Sequence, residues 1–436
     1  MIAKSFSLLG FFLFWAQSLS AQILWSWEDR QPIPEPVANN AVVAASVNGQ
    51  NYVYSFSGID SSRIFSGIHL KAWRYSVGDN VWDTLPPLPD TLGKIAAGAS
   101  LVKGKIYIIG GYHVFANGNE ASSDRVHVFD PQTNSYLADA APIPVPIDDH
   151  IQAVWRDSLI FVITGWSNTT NVPDVQIFNP TLNQWTVGTA VPDQLDYKVF
   201  GGSGAIVGDT IVYAGGARFG QNFPLGNVFR IGIIDPNHPT QISWSNFSDP
   251  LALGYRMAAF TSGQNVIWAG GSQVSYNFDG IAYNGSGPVA PSGRMFNYST
   301  FSQSLFSLPD SIPPLMDFRG VAELGNDQFM LVGGMEAGPQ VTARVLLMRN
   351  LLSSSSNQLE NSIPLTFSHQ QQIVSLKVEN QLPFSVSIID IQGKERYKAS
   401  GLHGRWQHSL QSFPDRHYFI LFRQQDLQQT FRIWVR

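Results

Sequence analysis

Ile106-Tyr107-Ile108-Ile109-Gly110-Gly111 runs an unbroken apolar stretch into a pair of glycines. A strand apolar on both faces has no side to offer water, so it belongs inside a sheet that is covered on both sides. Glycine at its end permits a sharp turn, or a close approach of neighbouring backbone that any Cβ would block. The pattern recurs at Tyr52 to Gly58, Ile160 to Gly165, Val212 to Gly216, Ile267 to Gly271 and Met330 to Gly334. The spacing is about 50–55 residues, widening to roughly 63 before the last, which marks one structural unit used repeatedly.

A second signal follows each glycine by about 15–20 residues: an aromatic or apolar residue, a turn, then another aromatic. It reads Tyr75 to Trp82, then Phe129-Asp130-Pro131-Gln132-Thr133-Asn134-Ser135-Tyr136, then Phe178-Asn179-Pro180-Thr181-Leu182-Asn183-Gln184-Trp185. Asp-Pro and Asn-Pro supply the turn chemistry of a hairpin between two outer strands. Looser versions run from Asp235 to Trp244 and from Tyr298 to Phe306. In this ordered combination of glycine doublet, tyrosine and tryptophan, residues 24–350 resemble the kelch-repeat proteins. The resemblance implies an all-β, six-bladed kelch-type β-propeller over residues 22–350, with four antiparallel strands per blade around a central channel. The last unit lacks a strand: after Gly333-Gly334 only a third strand, Val341 to Met348, is legible. Leu24-Trp25-Ser26-Trp27 imitates the missing fourth, so the N-terminal strand is expected to complete the last blade and close the ring.

The two ends read differently. Residues 1–21 have the form of a secretory signal: Lys4, an apolar core from Leu8 to Ala16, then Leu19-Ser20-Ala21. That core is too short to span a bilayer, and no later stretch is long enough for a transmembrane segment. The expected location is therefore secreted or at the outer cell surface. Residues 351–361, with four consecutive serines, form a linker by composition. Within residues 362–436, Ile373 to Val378, Phe384 to Asp390, His417 to Phe422 and Thr430 to Val435 read as strands of a small C-terminal β-sandwich. Ile388-Ile389-Asp390-Ile391-Gln392-Gly393-Lys394, Tyr418 and the terminal strand Phe431 to Arg436 resemble the C-terminal sorting domain of Bacteroidetes type IX secretion cargo. That resemblance implies the secretion machinery as a partner; the alternative is an accessory β-domain without a sorting role.

Composition narrows the chemistry. The chain has no cysteine, which removes disulfides, thiolate metal sites and cysteine nucleophiles together. It also removes the cysteine-modified tyrosine of copper oxidases built on similar propellers. A net charge of −5 without a Lys/Arg run gives nucleic-acid binding no support. No metal or cofactor motif is present, so none is expected.

Counting back from each glycine doublet gives the residues that begin the inner strands: Asn40, Lys94, His150, Lys198, Arg256 and Arg319. Acids lie nearby at Asp148, Asp149, Asp196 and Asp317, with Tyr197, Tyr255 and Phe318 beside them. The loops after the doublets add Tyr112, Trp166, Arg218 and Phe219. The expected ligand-binding set is Lys94, His150, Lys198, Tyr255, Arg256, Phe318, Arg319, Tyr112 and Trp166, a shallow cationic and aromatic cup for a carboxylated glycan or an acidic peptide. The competing structural reading has Arg256 and Arg319 pair with acids of adjacent blades and hold the ring together. The loop Ser272 to Gly293, with Tyr276, Phe278 and Tyr283, reads either as an adaptable binding surface or as a long, partly ordered hairpin. Asp148-Asp149-His150 is the densest polar cluster.

The functional expectation is a binding protein holding a glycan or protein ligand over the channel mouth. The alternative is a carbohydrate-active propeller resembling N-acetylneuraminate epimerase. A purely structural envelope component is the third class.

Overall fold

The computed structural model describes residues 25–350 and, beyond them, residues 365–370, 373–378, 382–390, 394–414, 416–424 and 427–435. The signal segment 1–21, the linker 351–361 and the turn at Gly393 lie outside the described residues. The chain divides into two compact units, one of them Leu24–Ser353 and the other containing Ser354–Arg436.

In the first unit each repeat folds into one antiparallel sheet. The first sheet runs Ala41–Val47, Gln50–Ile59, Ile68–Ser76 and Val81–Leu85, each strand paired with the next. Four more follow in sequence order, beginning at Ile95, Ile151, Phe200 and Ala258. The sixth combines Ala322–Gly325, Gln328–Val332 and Val345–Asn350 with the N-terminal strand Trp25–Asp29. That strand pairs antiparallel from Trp25 opposite Asn350 to Asp29 opposite Leu346, so the two ends of the unit share a sheet as expected. The third strand of this sheet starts later than Val341, which instead pairs with Met335 in a short hairpin. Among the described residues the only helical elements are two 3-10 turns, Phe65–Gly67 and Pro250–Ala252.

Backbone hydrogen bonds join the sheets into a closed circle. Just before or within the first turn of each inner strand sits a residue with positive φ: Asn39, Ala96, Asp149, Gly201, Arg256 and Asp317. The Asn39 N–H donates to Asp317 O, Ala96 to Asn39 O, Asp149 to Ala96 O, Gly201 to Asp149 O, and Arg256 to Gly201 O. The Phe318 N–H, donating to Arg256 O at 3.1 Å, closes the circle. Left-handed backbone is tolerated by Asn, Asp and Gly, and held against its cost elsewhere by these bonds.

The glycine doublets provide a second set of links between sheets. The N–H of Gly111 donates to Ile147 O at 2.9 Å, that of Gly216 to Gly254 O at 2.7 Å, and that of Gly334 to Val37 O at 2.8 Å. The first glycine of a doublet explains the residue type: a Cβ on Gly333 would lie 2.1 Å from Val37 O, at a φ of +69°. In the third sheet Thr164 stands in that place, and its hydroxyl exchanges hydrogen bonds with the Val199 backbone instead.

The second unit has two sheets. Leu365–Gln370, Ile373–Val378 and Arg405–Ser409 form one, and Glu395–Leu402, Phe384–Asp390, Arg416–Gln424 and Leu427–Val435 form the other. Alternate residues Val374, Leu376, Val378 and Phe384, Val386, Ile388 meet Trp406, Tyr418, Ile420 and Phe422 in a single core. This is the period of a half-buried strand made into a sandwich.

Candidate functional site

The ring of left-handed residues defines the channel mouth, and the register differs from the one counted back from the doublets. Arg256 is in the ring, but Asn40 and His150 follow it by one place, Arg319 by two, and Lys94 and Lys198 precede it. The connections into the inner strands differ in length, and a left-handed position takes residues as unlike as Asn, Ala and Arg, so spacing alone does not locate it.

Three ring side chains meet across the mouth. Arg256 Nε and Nη2 donate to Asp149 Oδ1 and Oδ2 at 3.1 and 2.6 Å, and Nη1 donates to Asp317 Oδ1 at 2.9 Å. Arg319 Nη2 donates to the His150 carbonyl at 2.8 Å, with Nη1 3.6 Å from Asp149 Oδ1. The Tyr276 hydroxyl donates to Asp317 at 3.3 Å. Burial opposes the Arg256 charge, yet Asp149, Tyr255 and Asp317 outweigh it and hold its pKa well above the usual value. Arg256 therefore pairs with an acid of the neighbouring sixth sheet, Asp317, but its second partner, Asp149, enters the third sheet, so the pairing reaches across the mouth and is not confined to adjacent blades.

Above this layer lies an off-axis recess of about 110 Å³, lined by Tyr112, Glu120, Asp148, Asp149, Trp166, Phe200, Phe223, Arg256, Asn277 and Tyr283. It corrects the cationic cup: three of the lining residues are carboxylic acids, and the one cation, Arg256, has every guanidinium nitrogen on a carboxylate. Asp148 is buried, and burial together with Asp149 pushes its carboxyl well above the usual range; Ser122 Oγ donates to it at 2.6 Å. The aromatic wall is continuous. Trp166 packs edge-on against Phe200 and Phe223 at 5.4 and 5.5 Å, and Phe223 against Tyr283 at 4.8 Å.

The loop Ser272 to Gly293 forms one side of the recess through Asn277 and Tyr283. Its Tyr276, Ala282 and Val289 are buried in one cluster with Tyr112, Phe200, Tyr255 and Met335. Arg63 Nη1, from the first sheet, donates to Asp279 O at 2.7 Å and ties the loop down.

Of the expected binding set, Tyr112, Trp166 and Arg256 meet in the recess. Tyr255 lies buried against Phe200 and Tyr276 and does not line it. His150, Phe318 and Arg319 line the channel just beneath. Lys94 is a correction: it is fully buried between sheets, 2.7 Å from Asp90 and 3.2 Å from Ser123 and His127. Lys198 pairs with Asp193 and likewise lies outside the recess. Arg218 is held by Asp196 at 3.1 Å. Glu120, Phe200 and Phe223 escaped sequence reasoning; the long segments from Gly111 to Val126 and from Gly216 to Val228 were the available signal for Glu120 and Phe223, while Phe200 begins an inner strand. Lower in the channel, inner-strand residues such as Val42, Ser100, Gln152 and Glu323 line a cavity of about 360 Å³.

His150 carries a pH prediction. Burial, with Arg319 nearby, pulls its pKa down to about 3. Unfolded histidine titrates near 6.5, so below that pH the unfolded chain takes up a proton that the folded chain refuses. The stability is complete above about pH 6.5 and declines as pH falls toward 3. Denaturant titrations at pH 7 and pH 4 are expected to show a His150→Gln variant losing about 3 kcal/mol less than the parent over this interval.

Comparison with known proteins agrees with this geometry. Residues 97–136, spanning nearly all of the second sheet, match a model of the Kelch motif. A solved structure of YjhT superposes with a TM-score of 0.58 at 15% identity, covering 72% of this chain and 95% of that one. The fold is a kelch-type propeller. Kelch-like protein 25 of Xenopus tropicalis is 24% identical over 214 residues, 47% of this chain and 33% of that protein. Kelch-like protein terF of Aspergillus terreus is 24% identical over 278 residues, 62% of this chain and 58% of that protein. The chain therefore spans less than two thirds of either relative's length. Among the described residues of the propeller and the C-terminal unit, no group of three or more His, Asp or Glu side chains is arranged to hold a metal ion, and no helix is long and apolar enough to cross a membrane.

Proposed function

We propose that the protein is a binding protein whose propeller mouth docks a glycan or protein ligand, with one protruding group seated in the recess. The carrying observation is the recess itself, a small concavity with an aromatic wall and a few fixed polar groups, which is the usual make-up of a ligand site. The surrounding loops add exposed apolar side chains on the same face, among them Phe65, Leu92, Phe115, Leu195 and Phe219. Loops that a rigid scaffold presents together are where binding residues concentrate. The charge of the recess turns the preferred ligand away from the carboxylated glycan or acidic peptide and toward neutral or positively charged groups. Export through the signal-like segment 1–21, and sorting through the C-terminal unit, complete the proposal; the mass and location of the mature protein check both.

The test is a screen of the full chain against glycan and peptide arrays, repeated with Trp166→Ala. Loss of about 1.4 kcal/mol of stacking weakens a true ligand roughly ten-fold, and a melting curve run alongside separates this from the packing Trp166 loses against Phe200 and Phe223. Binding that is indifferent to Trp166 places the ligand elsewhere. A second reading, turnover of a sugar in the manner of an epimerase, draws on Asp148, whose raised pKa keeps a proton available beside the recess. NMR of N-acetylneuraminate anomers with the protein present tests it: catalysed interconversion supports this reading, and an unchanged rate removes it.

A further inference from the structure

The side chains of the recess also specify a class of ligand. We infer that it takes an organic cation, an alkylated ammonium or a guanidinium carried by the docked partner; this rests on the reading of the mouth as the binding face.

Half of the lining residues are aromatic: Tyr112, Trp166, Phe200, Phe223 and Tyr283. An aromatic face carries the negative side of the ring quadrupole and attracts a cation that has left bulk water behind. Glu120 stands exposed at the rim, and no arginine or lysine is paired with it among the described ion pairs. Arg256 does not oppose an incoming cation as a free positive charge would, because Asp149 takes two of its nitrogens and Asp317 the third. The same pairing makes the recess a poor anion site: each Arg256 nitrogen is already on Asp149 or Asp317, and an entering carboxylate would also meet Glu120. The mouth already shows the chemistry in miniature. The Arg256 guanidinium lies 5.1 Å from the Tyr255 ring centre and 5.4 Å from that of Tyr276, on the floor beside the recess. The volume of about 110 Å³ suits a headgroup, not a whole oligosaccharide.

The experiment is calorimetric titration of the full chain with choline, methylguanidinium, 3,3-dimethylbutan-1-ol (the uncharged counterpart of choline) and a neutral methyl glycoside. The expected result is that choline or methylguanidinium binds at least about ten-fold more tightly than the uncharged alcohol. Glu120→Gln, at an exposed position, weakens the cation several-fold with no change in melting, and leaves the alcohol unaffected. Trp166→Leu weakens the cation as well. Equal binding of alcohol and choline overturns the inference. Binding of the glycoside alone, lost in Trp166→Leu, also overturns it but preserves the broader reading of a binding face. Silence from all four probes, together with negative arrays, removes both.

Discussion

Replacing Arg256 with methionine is expected to destabilise the propeller by about 3–5 kcal/mol, read as a lower midpoint of chemical denaturation. The magnitude comes from what the substitution leaves behind. Asp149 and Asp317 are almost completely buried and both rely on the same guanidinium. Arg319 reaches Asp149 only at 3.6 Å and has no contact of this kind with Asp317. Asp317 then keeps only the Tyr276 hydroxyl, and Asp149 only the more distant Arg319, which is much worse than the modest net value of an intact buried pair. The cost therefore depends on the orphaned acids. Asp149→Asn and Asp317→Asn added to the methionine variant are expected to recover most of the loss, since asparagine also tolerates left-handed backbone. A methionine variant as stable as the parent would mean that the three side chains do not act as one unit.

The second large effect is expected from removing residues 1–30, compared with removal of residues 1–23 alone. The shorter truncation leaves the closing strand intact and should melt like the parent. The longer one strips the pairing of Trp25–Asp29 with Val345–Asn350 and two ion pairs, Glu28 with Arg349 and Asp29 with Arg344. It also takes away Trp25, whose ring lies 5.6 Å from Phe260 of the fifth sheet and 5.8 Å from Phe329 of the sixth. Loss of that buried indole alone is worth about 3–5 kcal/mol. The newly bare edge at Val345–Asn350 offers unpaired backbone to other molecules, so light scattering should rise with protein concentration. Unchanged cooperative melting after the longer truncation would show that the ring does not need its closing strand.

The scaffold was far more legible than the site. Apolar runs ending in Gly110-Gly111 or Gly333-Gly334 report a local requirement, room for the neighbouring backbone, and any sequence that folds this way must meet it at a fixed place in the repeat. The closing strand was visible because Trp25 and Trp27 imitate the segment around Trp82. The mouth has no such signature. Its ring position is occupied by residues as unlike as Ala96, Gly201 and Arg256, all at the same distance before their doublets, so the residue types do not mark it, and Lys94 and Lys198 lie two and three places too early. The sign of the site was hidden for a different reason. Arg256 looks like an available cation until the fold delivers Asp149, 107 residues earlier in the chain, and Asp317 to its guanidinium. Pairing over such separations is a property of the closed ring and is not written in any local stretch.

The circle of amide-to-carbonyl bonds through Asn39, Ala96, Asp149, Gly201, Arg256 and Asp317-Phe318 follows main-chain atoms, with the Asn39 side chain also accepting from the Ala96 N–H. Main-chain bonds set the path of the circle, while the buried charges of Arg256, Asp149 and Asp317 must still match one another for it to be stable. Evolution, or a designer, can rewrite the ring side chains as a short combinatorial alphabet, limited to letters that accept the left-handed turn and that balance one another's charge. The same rim can in this way be re-addressed to a different guest without rebuilding the hub beneath it.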